Sequence, residues 1–121
     1  MGAMLVSLWN AVKLLRTDEM EARMILVRRT YTPRPGGGGL TGHLKDLQKA
    51  TVDAGFPPLA VYRKVLGPHG TMVTVQRWPS LAVYDESRAR VRQTGSITVI
   101  FSRIYPILAS THVTEVYEEI D

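Results

Sequence analysis

Three histidines, a set of arginines and a few aromatic residues hold the chemistry open to this chain. His43 and His69 stand 26 residues apart, on a predicted helix and in a predicted turn. They have neither the i, i+4 spacing nor the nearby carboxylates of a metal site, so no metal is expected. His69, inside Gly67-Pro68-His69-Gly70, reads as a solvated turn residue. His112 lies on the last predicted strand. There it could face a cavity as a general base or haem ligand, or be a packed or surface histidine. Arg29, Arg63 and Arg77 fall on predicted strands beside Tyr31, Tyr62 and Trp78. An arginine turned into an interior needs an anionic partner, because an unpaired buried charge is costly. Turned inward, these six residues could line a pocket for an aromatic, acidic or polyphenolic ligand. Turned outward, the arginines snorkel and the aromatics fill the core.

Other chemistries lack their residues. There is no cysteine, which excludes disulfides, thiol catalysis and Cys-based zinc or iron–sulfur sites. No Ser-His-Asp order or nucleophile elbow is visible. The run Gly36–Gly39 leads into Leu40-Thr41-Gly42-His43 without the lysine of a phosphate loop, and reads as a flexible strand-to-helix connector.

The elements that must position these residues follow from periodicity. Leu5, Leu8, Trp9, Val12 and Leu15 form one stripe of a helix over roughly residues 4–16, facing a core or a membrane surface. Met1-Gly2-Ala3 ahead of Met4 reads as a tag remnant, so residues 1–22 are set apart from a domain over 23–121. Arg23–Thr32 is a β-rich run that Pro33-Arg34-Pro35 stops. Leu40–Gly55 is a helix with Leu40, Leu44, Leu47 and Thr51 or Ala54 inward, ending before Pro57-Pro58. Two strands, Leu59–Leu66 and Thr71–Trp78, flank the turn and form a hairpin. If Leu66 faces Thr71, Tyr62 opposes Val75 and Arg63 opposes Thr74.

Ser80 is an N-cap for a helix whose face holds Leu81, Tyr84, Val91 and the stems of Arg88 and Arg92. Gly95-Ser96 breaks that helix. Ile97, Ile100, Phe101, Ile104 and Leu108 continue as a helical stripe limited by Pro106, although Ile97–Phe101 is β-branched enough for a strand. Thr111–Ile120 closes the chain as a strand with an acidic tail.

The order is β-α-β-β-α-α-β behind the extra N-terminal helix. It predicts an α+β fold, a ferredoxin-like β-α-β-β-α-β antiparallel sheet with helices on one face. Both faces of the hairpin carry apolar residues, whereas a solvated face should be polar. No second layer remains in 121 residues to cover the other face, so a partner subunit is expected there.

Several stretches resemble NIPSNAP-type proteins. Arg29-Thr30-Tyr31-Thr32-Pro33-Arg34-Pro35-Gly36 is similar to their first strand and Pro-Gly turn. Val61-Tyr62-Arg63, Leu66-Gly67 and Val73-Thr74-Val75-Gln76-Arg77-Trp78, then Ser80-Leu81-Ala82 and Tyr84, resemble their hairpin and the helix after it. The likeness spans residues 23–119, and the four glycines and leading helix depart from it. It implies membership of the dimeric α+β barrel superfamily, with its antibiotic biosynthesis monooxygenases. In that superfamily two ferredoxin-like sheets pack face to face and each subunit encloses a cavity. Its members include cofactor-free quinone-forming monooxygenases, haem-degrading enzymes, polyketide cyclases, muconolactone isomerases and ligand-sensing domains, so fold alone leaves function open.

Two functions are therefore expected. One is a small-molecule-binding homodimer acting on an aromatic or polyketide-like substrate by cofactor-free oxidation or cyclisation. In it His112 is the proton acceptor, and Arg29, Tyr31, Tyr62, Arg63, Arg77 and Trp78 line the substrate site. The other is a non-catalytic NIPSNAP-like binding or protein-interaction module. A closed cavity holding a histidine or tyrosine beside an arginine favours the first; a cavity filled by side chains favours the second. The net charge of +4 hides an asymmetry: residues 1–114 hold 15 bases against 7 acids. These bases are scattered without a tract and the aromatics are few, so no nucleic-acid partner is expected. No cofactor is expected, and neither is a membrane span, as no segment reaches the ~20 apolar residues it requires. A cytoplasmic location is the corresponding expectation.

Overall fold

The computed structural model describes residues 23–120. The amphipathic stretch predicted over residues 4–16 lies outside them. Four strands and three helices follow in the predicted order. They are β1 (Ile25–Tyr31), α1 (Leu40–Asp53), β2 (Leu59–Arg63), β3 (Met72–Trp78), α2 (Leu81–Gln93), α3 (Gly95–Ile104) and β4 (Val113–Glu118). A 3₁₀ turn, Tyr105–Ile107, follows α3. The sheet is antiparallel in the order β2-β3-β1-β4, the ferredoxin-like arrangement, and the helices pack on one face.

Period-two alternation explains which side chains meet the helices. Along β1, Ile25, Val27, Arg29 and Tyr31 are buried while the residues between them are half-buried. Along β3 the buried set is Met72, Thr74, Gln76 and Trp78. Leu40, Leu44, Leu47 and Thr51 on α1 and Ile97, Ile100 and Ile104 on α3 close over this face. The helical reading of Ile97–Leu108 therefore holds, because its apolar residues recur every three to four positions. Pro106 lies within the 3₁₀ turn that ends it.

The opposite face carries Leu26, Tyr62, Val73, Val75, Val113 and Tyr117, none of them buried, together with Ala60. Mixed into it are cross-strand ion pairs, Arg28 with Glu115 at 3.5 Å and Arg77 with Glu119. The acidic last strand thus lies beside basic residues of β1 and β3.

Three local expectations are corrected. The hairpin register pairs Tyr62 with Val73 and Arg63 with Met72, two residues away from the predicted pairing. β2 stops at Arg63, and Val65 and Leu66 stand 92% and 90% exposed in a longer loop. The Lys64 amide donates to the Thr71 carbonyl at 3.0 Å, so the connection runs from Val65 to Gly70, six residues rather than four, with Gly67 and Gly70 at positive φ. A shift of two leaves every side chain on its expected face. On α2, Leu81 is exposed and Ser87 is buried. Ser80 caps this helix, its side chain accepting from the Val83 amide at 3.2 Å, so Leu81 opens the first turn. The inward face then runs Tyr84, Ser87, Arg88 and Val91, at i, i+3, i+4 and i+7.

The glycine run does connect strand to helix, in a defined shape. The Arg34 amide bonds to the Ile107 carbonyl at 2.9 Å, and a Cβ on Gly37 would lie 2.5 Å from that same oxygen. Gly39 stands at the N-cap of α1 with φ of 91°.

Candidate functional site

Between the sheet and the helices lies a cavity of about 350 Å³. Its sheet wall includes Arg29, Tyr31, Thr74, Gln76 and Trp78, and its helical wall includes Tyr84, Arg88 and Phe101. The exposed residues Thr98, Ser102 and Tyr105 also line it, which puts its mouth along α3 and the turn beyond.

The cavity exists because β1 and β3 place polar residues where the core would otherwise close. Arg29 pairs across the sheet with Thr74 and Thr114, two small neighbours that leave room for a guanidinium. Its Nη2 donates to the Tyr84 hydroxyl at 2.8 Å. Arg88, one turn along α2, donates from Nη1 to the same oxygen at 3.1 Å and lies over the Tyr84 ring, 5.4 Å from its centroid. Trp78 meets Tyr84 edge to face at 5.5 Å and Phe56 at 6.3 Å, fixing the aromatic floor.

His112 stands one residue before β4 in a box of rings. It stacks on Tyr105 at 5.8 Å and lies 5.3 Å from Tyr31 and 6.1 Å from Phe101. Burial lowers its pKa below the ordinary 6.5, and the positive charges of Arg29 and then Arg88 lower it further. The imidazole is therefore neutral at pH 7 and able to accept a proton. Its Nδ1 is buried and has no hydrogen-bond partner among the described residues. The Tyr31 phenol is pushed up by burial against an opposing effect of Arg29, so it stays protonated. Trp78 is buried as well, and its Nε1 has no partner among the described residues.

Of the residues singled out in sequence, Arg29, Tyr31, Trp78 and His112 come together here. Tyr62 and Arg77 do not line the cavity; both are exposed on the opposite sheet face, where Arg77 pairs with Glu119. Arg63 is exposed at the end of the edge strand β2, 3.4 Å from the Thr41 hydroxyl. Alternation carries the distinction: Arg29 and Trp78 share parity with the buried positions of their strands, whereas Arg77 and Tyr62 do not. In sequence Tyr84 and Arg88 read as a packing face, and nothing there points to their place beside Arg29. Their i, i+4 spacing signals only that the two are neighbours. No group of three His, Asp or Glu side chains among the described residues could hold a metal ion.

The same architecture occurs in several solved proteins. A NIPSNAP-like domain protein from Burkholderia xenovorans superposes with a TM-score of 0.66 at 18% identity, over 82% of this chain and 87% of that one. A NIPSNAP family protein from Agrobacterium tumefaciens gives 0.64 at 17% identity, over 82% and 88%. An antibiotic biosynthesis monooxygenase gives 0.64 at 15%, over 80% of this chain and 99% of that one. No protein-family model and no curated protein matches the chain. At these identities the likeness establishes the fold, which is the NIPSNAP-like and monooxygenase-like one that the strand motifs suggested.

Proposed function

We propose that this chain is a homodimeric α+β barrel whose cavity takes an aromatic or polyketide-like molecule and removes a proton from it. The observation that carries the reading is the His112 imidazole, with an unpartnered Nδ1, in the same pocket as the Arg29 and Arg88 guanidiniums. His112 accepts the proton from an acidic C–H or phenolic O–H, and the electron pair left behind becomes an enolate or phenolate. Arg29, close enough to influence both His112 and Tyr31, holds that oxyanion. The stacked rings around His112 favour a planar substrate.

Two reactions follow from one anion. With dioxygen as oxidant, the carbanion forms a C–O bond. The resulting peroxide takes back the proton from His112, then loses water to leave a quinone carbonyl. With a carbonyl in the same molecule, the carbanion forms a C–C bond and water leaves. Both return His112 to its neutral form. The fold shared with an antibiotic biosynthesis monooxygenase supports the oxidative branch.

Proton removal is read directly by deuterium exchange into the methylene of an anthrone, followed by NMR. The wild-type protein accelerates wash-in, and His112→Gln lowers that acceleration by roughly 100-fold, the usual scale of a positioned base. Equal exchange rates for the two proteins sink the reading.

A further inference from the structure

The Arg29–Tyr84–Arg88 cluster contains two positive charges, while the chemistry above generates only one negative charge. Arg29 is 9% exposed, and Arg88 is half-buried one turn from Tyr84. Neither forms an ion pair among the described residues, and no aspartate or glutamate lines the cavity. Each guanidinium donates to one phenolic oxygen, leaving most of its five N–H groups for something else. The Tyr84 hydroxyl accepts from both and still has a proton to give, with no acceptor among the described residues. Trp78 adds a buried, unpartnered indole N–H to the same pocket. All of these are donors, and two are cationic, Arg29 buried and Arg88 half-buried.

Two guanidiniums converging on one neutral oxygen repel each other, and they repel more as water leaves. A substrate that becomes anionic only after deprotonation compensates one of them, and only late. A permanently charged group compensates the cluster on arrival. We infer that the ligand carries a carboxylate, gripped by Arg88 and the Tyr84 hydroxyl, in addition to the ionisable hydroxyl or C–H presented to His112. The ligand class is a hydroxyaryl carboxylate. The planar fork of a guanidinium matches a carboxylate in two parallel hydrogen bonds, a geometry that a phenolate oxygen cannot fill.

This inference rests on reading the cavity as the substrate site, but its test reads binding and requires no turnover. With Trp9→Phe in place, Trp78 is the single tryptophan and reports occupancy by fluorescence quenching. The probes are 3-hydroxy-2-naphthoate, the corresponding naphthamide, 2-naphthol and 2-naphthyl phosphate, at fixed ionic strength. The carboxylate is expected to bind at least about tenfold more tightly than the amide, the scale of one charged hydrogen bond in a buried site. In Arg88→Gln that preference disappears while amide affinity is retained. Arg29→Gln does the same in part, and its circular dichroism spectrum and melting curve separate lost recognition from lost fold.

Equal binding of carboxylate and amide overturns the inference, as does a uniform loss of all four probes in Arg88→Gln. A tenfold preference for the naphthyl phosphate overturns the carboxylate assignment. A protein that keeps the carboxylate preference but shows no proton exchange refutes the proposed catalysis and leaves this inference standing.

Discussion

At the scale of single residues, the site is built from groups held in one ionic state by their surroundings. His112 is the clearest case: burial, then Arg29 and Arg88, all oppose its protonation. A histidine whose folded pKa is depressed leaves the unfolded chain binding more protons once the pH drops below the unfolded value. Its contribution to stability is intact above 6.5, declines as the pH falls below 6.5, and levels off below the depressed folded value. The aromatic box of Tyr31, Phe101 and Tyr105 accommodates a phenyl ring at that position. Melting curves of the wild type and His112→Phe between about pH 8 and pH 5 should therefore diverge, with the wild type losing stability faster on acidification. Parallel curves would contradict an imidazole that the fold holds neutral. The residues of this cluster were partly legible in sequence. Arg29, Tyr31, Trp78 and His112 were singled out because their types suit the chemistry. Tyr84 and Arg88 were not, because a phenol and a guanidinium on one helical face usually pack or snorkel.

At the scale of elements, two short devices hold the walls of the cavity. One is the Ser80 cap, which sets where α2 begins and therefore which of its residues face Arg29. Ser80→Ala should cost about 1 kcal/mol in denaturant unfolding. The other is the closure of the glycine run on the 3₁₀ turn next to the cavity mouth. Gly37→Ala would push a methyl into the Ile107 carbonyl, a backbone atom that cannot rotate away. The expected result is a loss of stability exceeding that of Gly38→Ala, where a Cβ meets nothing. Equal melting temperatures for the two variants would count against the close approach. The four strands, α1 and α2 were readable from periodicity and stop signals, while α3 also fitted a strand and the 3₁₀ turn at Tyr105–Ile107 was not foreseen. The end of β2 and the hairpin register were not readable either, since Val65 and Leu66 look like strand residues until the loop geometry removes their partners.

At the scale of the whole molecule, one sheet face is covered by helices and the other mixes apolar residues with cross-strand ion pairs. Such exposed pairs contribute little stability of their own. Val73, between Thr30 and Tyr62, belongs to an apolar row of that second face together with Val113. Light scattering at micromolar concentration should give twice the 13.5 kDa chain mass, and Val73→Glu should give a single chain that still melts cooperatively. A wild-type monomer would refute the dimer. In the described residues no helix is long and apolar enough to cross a membrane.

The sequence by itself determined the fold class, because alternation of period two and stripes of period 3.6 are properties of neighbouring residues along one chain. It also determined that the sheet would have two apolar faces and that Ser80 would cap a helix. What only the tertiary structure decided is which charged and aromatic residues meet. Arg29 and Arg88 are 59 positions apart in sequence, yet they share one phenolic oxygen. That meeting depends on strand parity, on the phase at which α2 starts, and on small Thr74 and Thr114 beside Arg29, three facts fixed independently along the chain. Sequence spacing encodes each of them locally, and their convergence on a single point exists only once the sheet and helices are packed.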